Sequence, residues 1–399
     1  MANSLGNGVF NPGYWAREQQ TIFYKENVAI GLANTELRAV LNDGDTVHKP
    51  YSSHLYGKTY TKGTDVTVID VSGTDEYLTV DTTKIVPFYV DDLDKLQNKW
   101  DMADHFAKQS QRILNNLLDQ TIAAEYSNAN SDIYAADVGG SGATTAITLG
   151  TANIQQLFTA AGRKLDSLDM PQAGRFSMIG PRTLEILRLY IGGKDTDYAD
   201  AVSRNGLVMN RFGFDIYYSN NCAFTATWTP ANQPTAADTV SIAGVTFTFQ
   251  TTIGTTAGNV LSETSVAISI DNLVAAVNGS GETENTDWVA VSDANRWKLT
   301  RAGVVATDGA TALTLVAYGD IVVAASEAND PWSVQTQHSL FGIKGATDLV
   351  VQKTPNVVFK EDPDRLGKNV FSWMMYGKKT FNNQKDALVD VNILASSWV

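Results

Sequence analysis

Apolar side chains recur at alternating steps of three and four along VDDLDKLQNKWDMADHFAKQSQRILNNLLDQTIAAEY, residues 90–126. Leu93, Leu96, Trp100, Ala103 and Ala107 form the run, and Leu114 and Leu117 resume it after a gap at Ser110. That spacing keeps the side chains on one face of an α-helix. The stretch holds no Gly or Pro and opens on Asp91, Asp92 and Asp94, whose carboxylates suit a helix N-terminus. The pattern predicts a helix of roughly 50 Å, with Leu93, Leu96, Trp100, Leu114 and Leu117 as its core contacts. Both flanks are β-like and rich in Gly and Thr. A single spine helix laid across an α+β protein therefore fits better than a coiled coil. Such a spine suits a building block better than a catalyst.

The remaining chain divides by texture. Residues 1–50 read as an extended arm with short helical pieces at 16–23 and 35–41. Residues 51–89 are rich in Thr, Val and Tyr, punctuated by Gly57, Gly63 and Gly73, and predict a long β-hairpin. After the spine, residues 138–151 form a Gly, Ala and Thr linker. Ile154, Phe158, Ala161, Leu165 and Leu168 mark a helix over 152–169, ended by Met170 and Pro171. GRFSMIG predicts a buried strand, Pro181 opens a further helix, and RFGFDIYYSNN alternates as another strand. Residues 150–224 thus read as an α/β lobe.

At residue 225 the composition turns to Thr, Ala and Pro. Val240, Ile242, Val245, Phe247 and Phe249 describe a hairpin turning at Gly244. A helix is expected over 269–278, capped by Ser269 or Asp271. DWVAVSDANRWKLTRAG reads as a second hairpin turning at 292–295, and ALTLVAYG and IVVAAS add one or two strands. Residues 225–336 thus predict an autonomous β-β-α-β-β insert with Val240, Ile242, Phe247, Phe249 and Trp297 in its core. Residues 337–399 return to long strands.

Composition removes several function classes. Of the 399 residues, 43% are apolar and 18% charged, as expected of a globular chain. No apolar run approaches a membrane span, and MANSLGNGVFNPGYW lacks the basic and apolar regions of a signal peptide. Cys222 is the only cysteine, which suits a reducing, cytoplasmic place of folding. A net charge of −13, from 43 acids and 30 bases, argues against a protein that binds DNA through a basic face.

No constellation for catalysis, cofactor binding or metal binding emerges. Gly57, Lys58 and Thr59 supply the tail of a phosphate loop, but Ser52 stands where its first Gly belongs. His48, His54, His105 and His338 are widely separated. Asp195, Asp197 and Asp200 lack the full calcium-loop pattern. Glu361, Asp362 and Asp364 beside Arg365 read as a charged turn, and Cys222 as a passive thiol.

The order of these pieces resembles that of tailed-phage major capsid proteins. IVPFYV followed by VDDLDKLQNKWDMADHFAKQ is similar to their E-loop returning into the spine helix. GRFSMIGPRTLEIL resembles an A-domain strand and helix. GLVMNRFGFDIYYSNN resembles a Gly-containing turn leading into a strand, and SWMMYGKKTFNNQKDALVDVNIL the closing P-domain strands. The insert falls where some short-tailed phage coat proteins carry an extra domain. The resemblance implies the Hong Kong-type capsid fold: N-arm 1–50, E-loop 51–89, P-domain spine and linker 90–149, A-domain 150–224, insertion domain 225–336, and a return to A- and P-domain strands over 337–399.

The same resemblance implies hexamers and pentamers of this chain closing into an icosahedral shell, which encloses double-stranded DNA without sequence-specific binding. Lys58, Tyr60 and Lys62 would contact a neighbouring subunit from the E-loop. Further implied partners are a separate scaffolding protein, a portal and a decoration protein, with assembly in the bacterial cytoplasm and no membrane. Some members join Lys to Asn by isopeptide bonds, for which Lys58 or Lys62 with Asn356 or Asn369 are the candidates. An encapsulin-like cargo shell and a β-rich surface adhesin remain as alternatives.

Overall fold

The computed structural model describes residues 25–39, 44–52, 55–66, 68–91, 102–194, 210–326, 332–361 and 366–395. Leu93, Leu96, Trp100, His54, the 195–200 acidic loop and Asp362, Asp364 and Arg365 lie outside them, as does the helical piece expected at 16–23.

The spine is an α-helix over Met102–Ala123 that tightens into a 3-10 helix over Ala124–Asn128. Val90 and Asp91, expected at its start, instead end the strand Thr82–Asp91, where they pair with Lys368 and Gly367. The buried face of the helix runs through Ser110, Leu114, Leu118 and Ile122. Ser110 is therefore no gap. Its hydroxyl donates to the Ala107 carbonyl at 2.8 Å, one turn back, which lets a polar side chain sit in an apolar stripe. Leu117 flanks this face and is half-buried.

Beneath the helix lies a three-stranded antiparallel sheet, ordered Asp348–Glu361, Gly367–Lys379, Thr82–Asp91. Leu114, Leu118 and Ile122 share a core with Leu349, Met374 and Tyr376 of that sheet. Phe176, Met178, Leu340 and Leu388 join the same core from a second, larger sheet, so the helix bridges both.

The hub of the larger sheet is the strand Trp332–Ile343. Leu388–Leu394 runs along one edge, while Ala223–Trp228 and Arg175–Ile179 follow one another along the other. Gly342 sits where the chain turns in towards Leu388: a Cβ there would lie 2.4 Å from the Ala387 carbonyl oxygen. Helices Ile154–Ser167 and Pro181–Gly192 cover the sheet, burying Phe158, Leu165 and Leu187 against Phe214, Phe341 and Val391. Pro181 occupies the first turn of its helix, where its missing N–H costs nothing.

The insert differs from its sequence reading in three respects. Its first helix is Val266–Asn278, capped by Ser265, whose side chain accepts the Ile268 N–H. Ser269 is instead buried one turn in, with its hydroxyl accepting the Glu263 N–H at 3.0 Å. The expected second hairpin is a helix, Asp293–Arg301. Asp293 in its first turn and Lys298 and Arg301 in its last complement the helix dipole. Only Leu299 of that helix is buried. Trp297, placed in the core by the hairpin reading, is 43% exposed on the helix surface.

The third difference concerns the boundary. The strand Ala223–Trp228 spans residue 225 and lies between Leu313–Tyr318 and the hub strand, so the insert is stitched into the larger sheet. Val240, Ile242, Phe247 and Phe249 are fully buried in one core with Phe224, Trp228, Leu273 and Leu315. A four-stranded sheet of Asn259–Leu261, Val245–Gln250, Thr239–Ile242 and Val323–Ala325 completes this unit.

Candidate assembly surfaces

The hairpin is anchored at its base and bare at its tip. Thr46–His48 pairs with Tyr77–Thr79, and Tyr51–Ser52 with Gly73–Thr74. Val47, Leu78 and Val80 bury themselves against Val350 and Phe381. Lys49 reaches the buried carboxylate of Asp348 at 2.8 Å, and Lys379 donates to the Tyr77 carbonyl at 2.9 Å. The base is thus fixed to the three-stranded sheet by both packing and charge.

Beyond Ser52 and before Gly73, the described residues belong to no strand. Leu55, Tyr56, Tyr60, Val66, Val68 and Val71 all project into solvent there, Val68 being 79% exposed. Lys58 and Lys62 are exposed among them, with the Lys58 ammonium 5.7 Å from the centre of the Tyr56 ring. Fully burying one such apolar side chain is worth about 1.5–3 kcal/mol. Nothing within the described chain collects that energy, and a patch of this kind marks a contact surface. The edges of the three-stranded sheet add exposed Ile85 and Phe359, with Leu366 at the adjoining turn. Asn356 and Asn369 lie in that sheet, opposite Trp373 and Tyr89.

Buried charges hold the frame of these surfaces, and the sequence reading did not identify them. Asp119 of the spine accepts the backbone N–H groups of Val28, Ala29 and Ile30 at 2.8, 2.6 and 3.3 Å, and the Asn221 amide at 2.8 Å. Burial nevertheless pushes its carboxyl above the usual range. Glu125 pairs with Lys378 at 2.6 Å and accepts from Thr380. Asp390 meets the His338 ring at 2.7 Å, while Tyr126 stacks on that ring at 3.9 Å. An acid on a helix or strand carries no local mark of such partners. Cys222 is buried and its thiol is pushed up to about 12, mainly by burial, so it is no ready nucleophile.

Among the described residues, no three His, Cys, Asp or Glu side chains converge on a common metal position. None of the described helices is long and apolar enough to cross a membrane.

No family model matches the chain, and no curated protein does. Solved structures do match. The structure titled "Mycobacterium phage Che8" superposes with a TM-score of 0.59 at 16% identity, over 96% of this chain and 97% of that one. "Capsid structure of the Cyanophage P-SCSP1u" gives 0.55 at 15% identity, over 98% and 96%. "The head structure of Helicobacter pylori bacteriophage KHP40" gives 0.51 at 10% identity, over 98% of each chain. At such identities the likeness speaks for fold, and it spans nearly the whole chain. With its anchored hairpin and a spine helix that bridges the three-stranded and the larger sheet, the chain has the Hong Kong 97-like fold of tailed-phage capsid structures.

Proposed function

We propose that this chain is the major capsid protein of a tailed double-stranded DNA phage, self-assembling as hexamers and pentamers into an icosahedral shell. One observation carries the reading: a chain with the capsid fold holds a hairpin rigidly at its base and leaves six large apolar side chains bare at its tip. The mechanism is geometric. The spine helix and three-stranded sheet make a stiff plate, and the tip reaches over a neighbouring plate and buries its apolar side chains there, with Lys58, Tyr60 and Lys62 in the contact. Many modest contacts of one kind, repeated by symmetry, add up to a closed shell. A chain of net charge −13 encloses DNA without gripping its sequence. Scaffolding, portal and decoration proteins are the further partners of this reading.

The test is assembly itself. The chain, expressed alone and with a scaffolding protein, is examined by gradient sedimentation and negative-stain microscopy. Capsomers, sheets or shells are expected. A strictly monomeric species at high concentration in both cases would overturn the proposal.

A further inference from the structure

A groove of about 500 Å³ opens between residue 25, the turn that follows Leu313–Tyr318 and the helix Asp293–Arg301. Its lining carries three cations, Lys25, Lys298 and Arg301, against one carboxylate, the exposed Asp320. In a chain with 43 acids and 30 bases, that local excess runs against the overall balance. Among the described residues, the ion pairs include none of these three cations.

What the cations do instead is informative. The Lys25 ammonium donates to the Tyr318 carbonyl at 2.7 Å. Gly319 makes room for it: φ there is +118°, and a Cβ would sit 3.3 Å from the Lys25 nitrogen and 2.9 Å from the Asn220 carbonyl oxygen. Burial, with the Arg301 charge adding to it, pulls the Lys25 ammonium down to about 8. Cys222 and Asp119 oppose this shift without offsetting it. The Arg301 guanidinium lies over the Trp297 ring, 5.1 Å from its centre, and that indole remains exposed on the groove wall.

We propose that the groove binds a nucleotide, its phosphate held among Lys25, Lys298 and Arg301 and its base packed against Trp297. The assignment goes beyond the capsid reading and stands independently of it. Phosphate supplies the charge the lysine and arginine lack, and a fork of guanidinium donors matches its oxygens. An aromatic wall beside cations is what a base with an attached phosphate recognises, whichever base it is.

Deoxyadenosine monophosphate, inorganic phosphate and deoxyadenosine are titrated calorimetrically into the full-length chain. The monophosphate should bind once per chain, about tenfold or more tighter than either fragment, since each half of the site contributes. Arg301→Gln should weaken it about tenfold, and Lys298→Gln severalfold, as loss of a charge-assisted bond requires. Both side chains are exposed, and an unchanged thermal melt checks that the variants fold. Trp297→Leu should bring monophosphate binding down to the level of phosphate and leave phosphate binding as it was.

A deoxyadenosine oligonucleotide distinguishes the two sources of this chemistry, and either result supports the site. Tighter binding that falls steeply with salt points to a strand, and binding no tighter than the monophosphate points to a free nucleotide. Monophosphate binding that is undetectable, or unchanged in Arg301→Gln, overturns the proposal. Phosphate binding as tight as the monophosphate overturns the nucleotide assignment.

Discussion

The carboxylate of Asp119 accepts the backbone N–H of Ala29 at 2.6 Å, and so ties the N-terminal arm to the C-terminal part of the spine helix. Ala29 opens a 3-10 turn, Ala29–Leu32, whose first N–H groups have no partner within the turn. Asp119 caps them from a distant part of the chain, since the turn's own preceding residue, Val28, has no side chain able to do so. Asn221 completes the cluster by donating to the second carboxylate oxygen at 2.8 Å. Arm, spine and the loop after the strand Phe214–Tyr218 thus meet on one side chain.

Asp119→Ala should therefore cost several kcal/mol, because it strands buried N–H groups at about 1–3 kcal/mol each. Asp119→Asn should cost less. Its carbonyl can still accept the arm N–H groups. Its amide, which replaces the acceptor of the Asn221 amide, can donate to the Asn221 Oδ1 once that side chain turns over, an oxygen that has no hydrogen-bond partner. Denaturant melts of the two variants measure the difference, and equal losses would remove the capping role.

Lys25 gives a pH signature. Its folded value of about 8, against an ordinary 10.5, follows from burial and then from Arg301, opposed by Cys222 and Asp119. Below about 8 the lysine is charged in both states, and the folded state bears the full penalty. Between about 8 and 10.5 the unfolded chain holds more of the proton, so stability rises with pH. Wild type should gain stability over Lys25→Met across that window. A flat difference between the two proteins would mean that Lys25 is not held as buried as this.

Along the spine, Leu114→Ala should cost about 2–5 kcal/mol, the usual range for a fully buried leucine. Leu117→Ala should cost less, since that side chain is half-buried, and Gln111→Ala, on the exposed face, should be nearly silent. Urea titrations that rank the three otherwise would displace the face of the helix.

The period of three and four was enough to read a spine through Leu114, because that period belongs to the helix itself. It was not enough to place Ser110 in the stripe, because the bond to Ala107 that permits its burial exists only once the helix forms. The segment around Trp297 alternates as a strand would, yet its end charges and the burial of Leu299 decide for a helix. The groove was illegible for a different reason. Lys25 and Arg301 stand far apart in sequence, with the spine and the α/β lobe between them, and only the fold brings their charges together. The fold class was legible because the order of elements is a one-dimensional property.

The insert's boundary is testable by excision. Residues 222–338 contain Ala223–Trp228, its neighbour Leu313–Tyr318 and the stretch of the hub strand from Trp332 to Gln337 that pairs with it, so this segment should give dispersed amide resonances and a cooperative melt. Residues 229–330 lack the central strand, with Phe224 and Trp228, and should not. A cooperative melt from the shorter segment would mean that the four-stranded sheet is a complete domain by itself.

Folding and assembly are separable at the hairpin tip. Leu55, Tyr56 and Tyr60 touch no described core, and each is more than 60% exposed. Replacing all three with Ser should leave the thermal melt of the unassembled subunit within about 2 °C, because exposed substitutions typically change stability by no more than about 0.5 kcal/mol each. If the same side chains are buried against a neighbour, each substitution removes about 1.5–3 kcal/mol from every copy of that contact. Repeated around a shell, that loss should move the chain from particles to free capsomers or monomers on a sedimentation gradient. Particles of wild-type yield and stability from the triple variant would show that the tip is not an assembly contact. A destabilised monomer would instead show that the tip packs within its own chain.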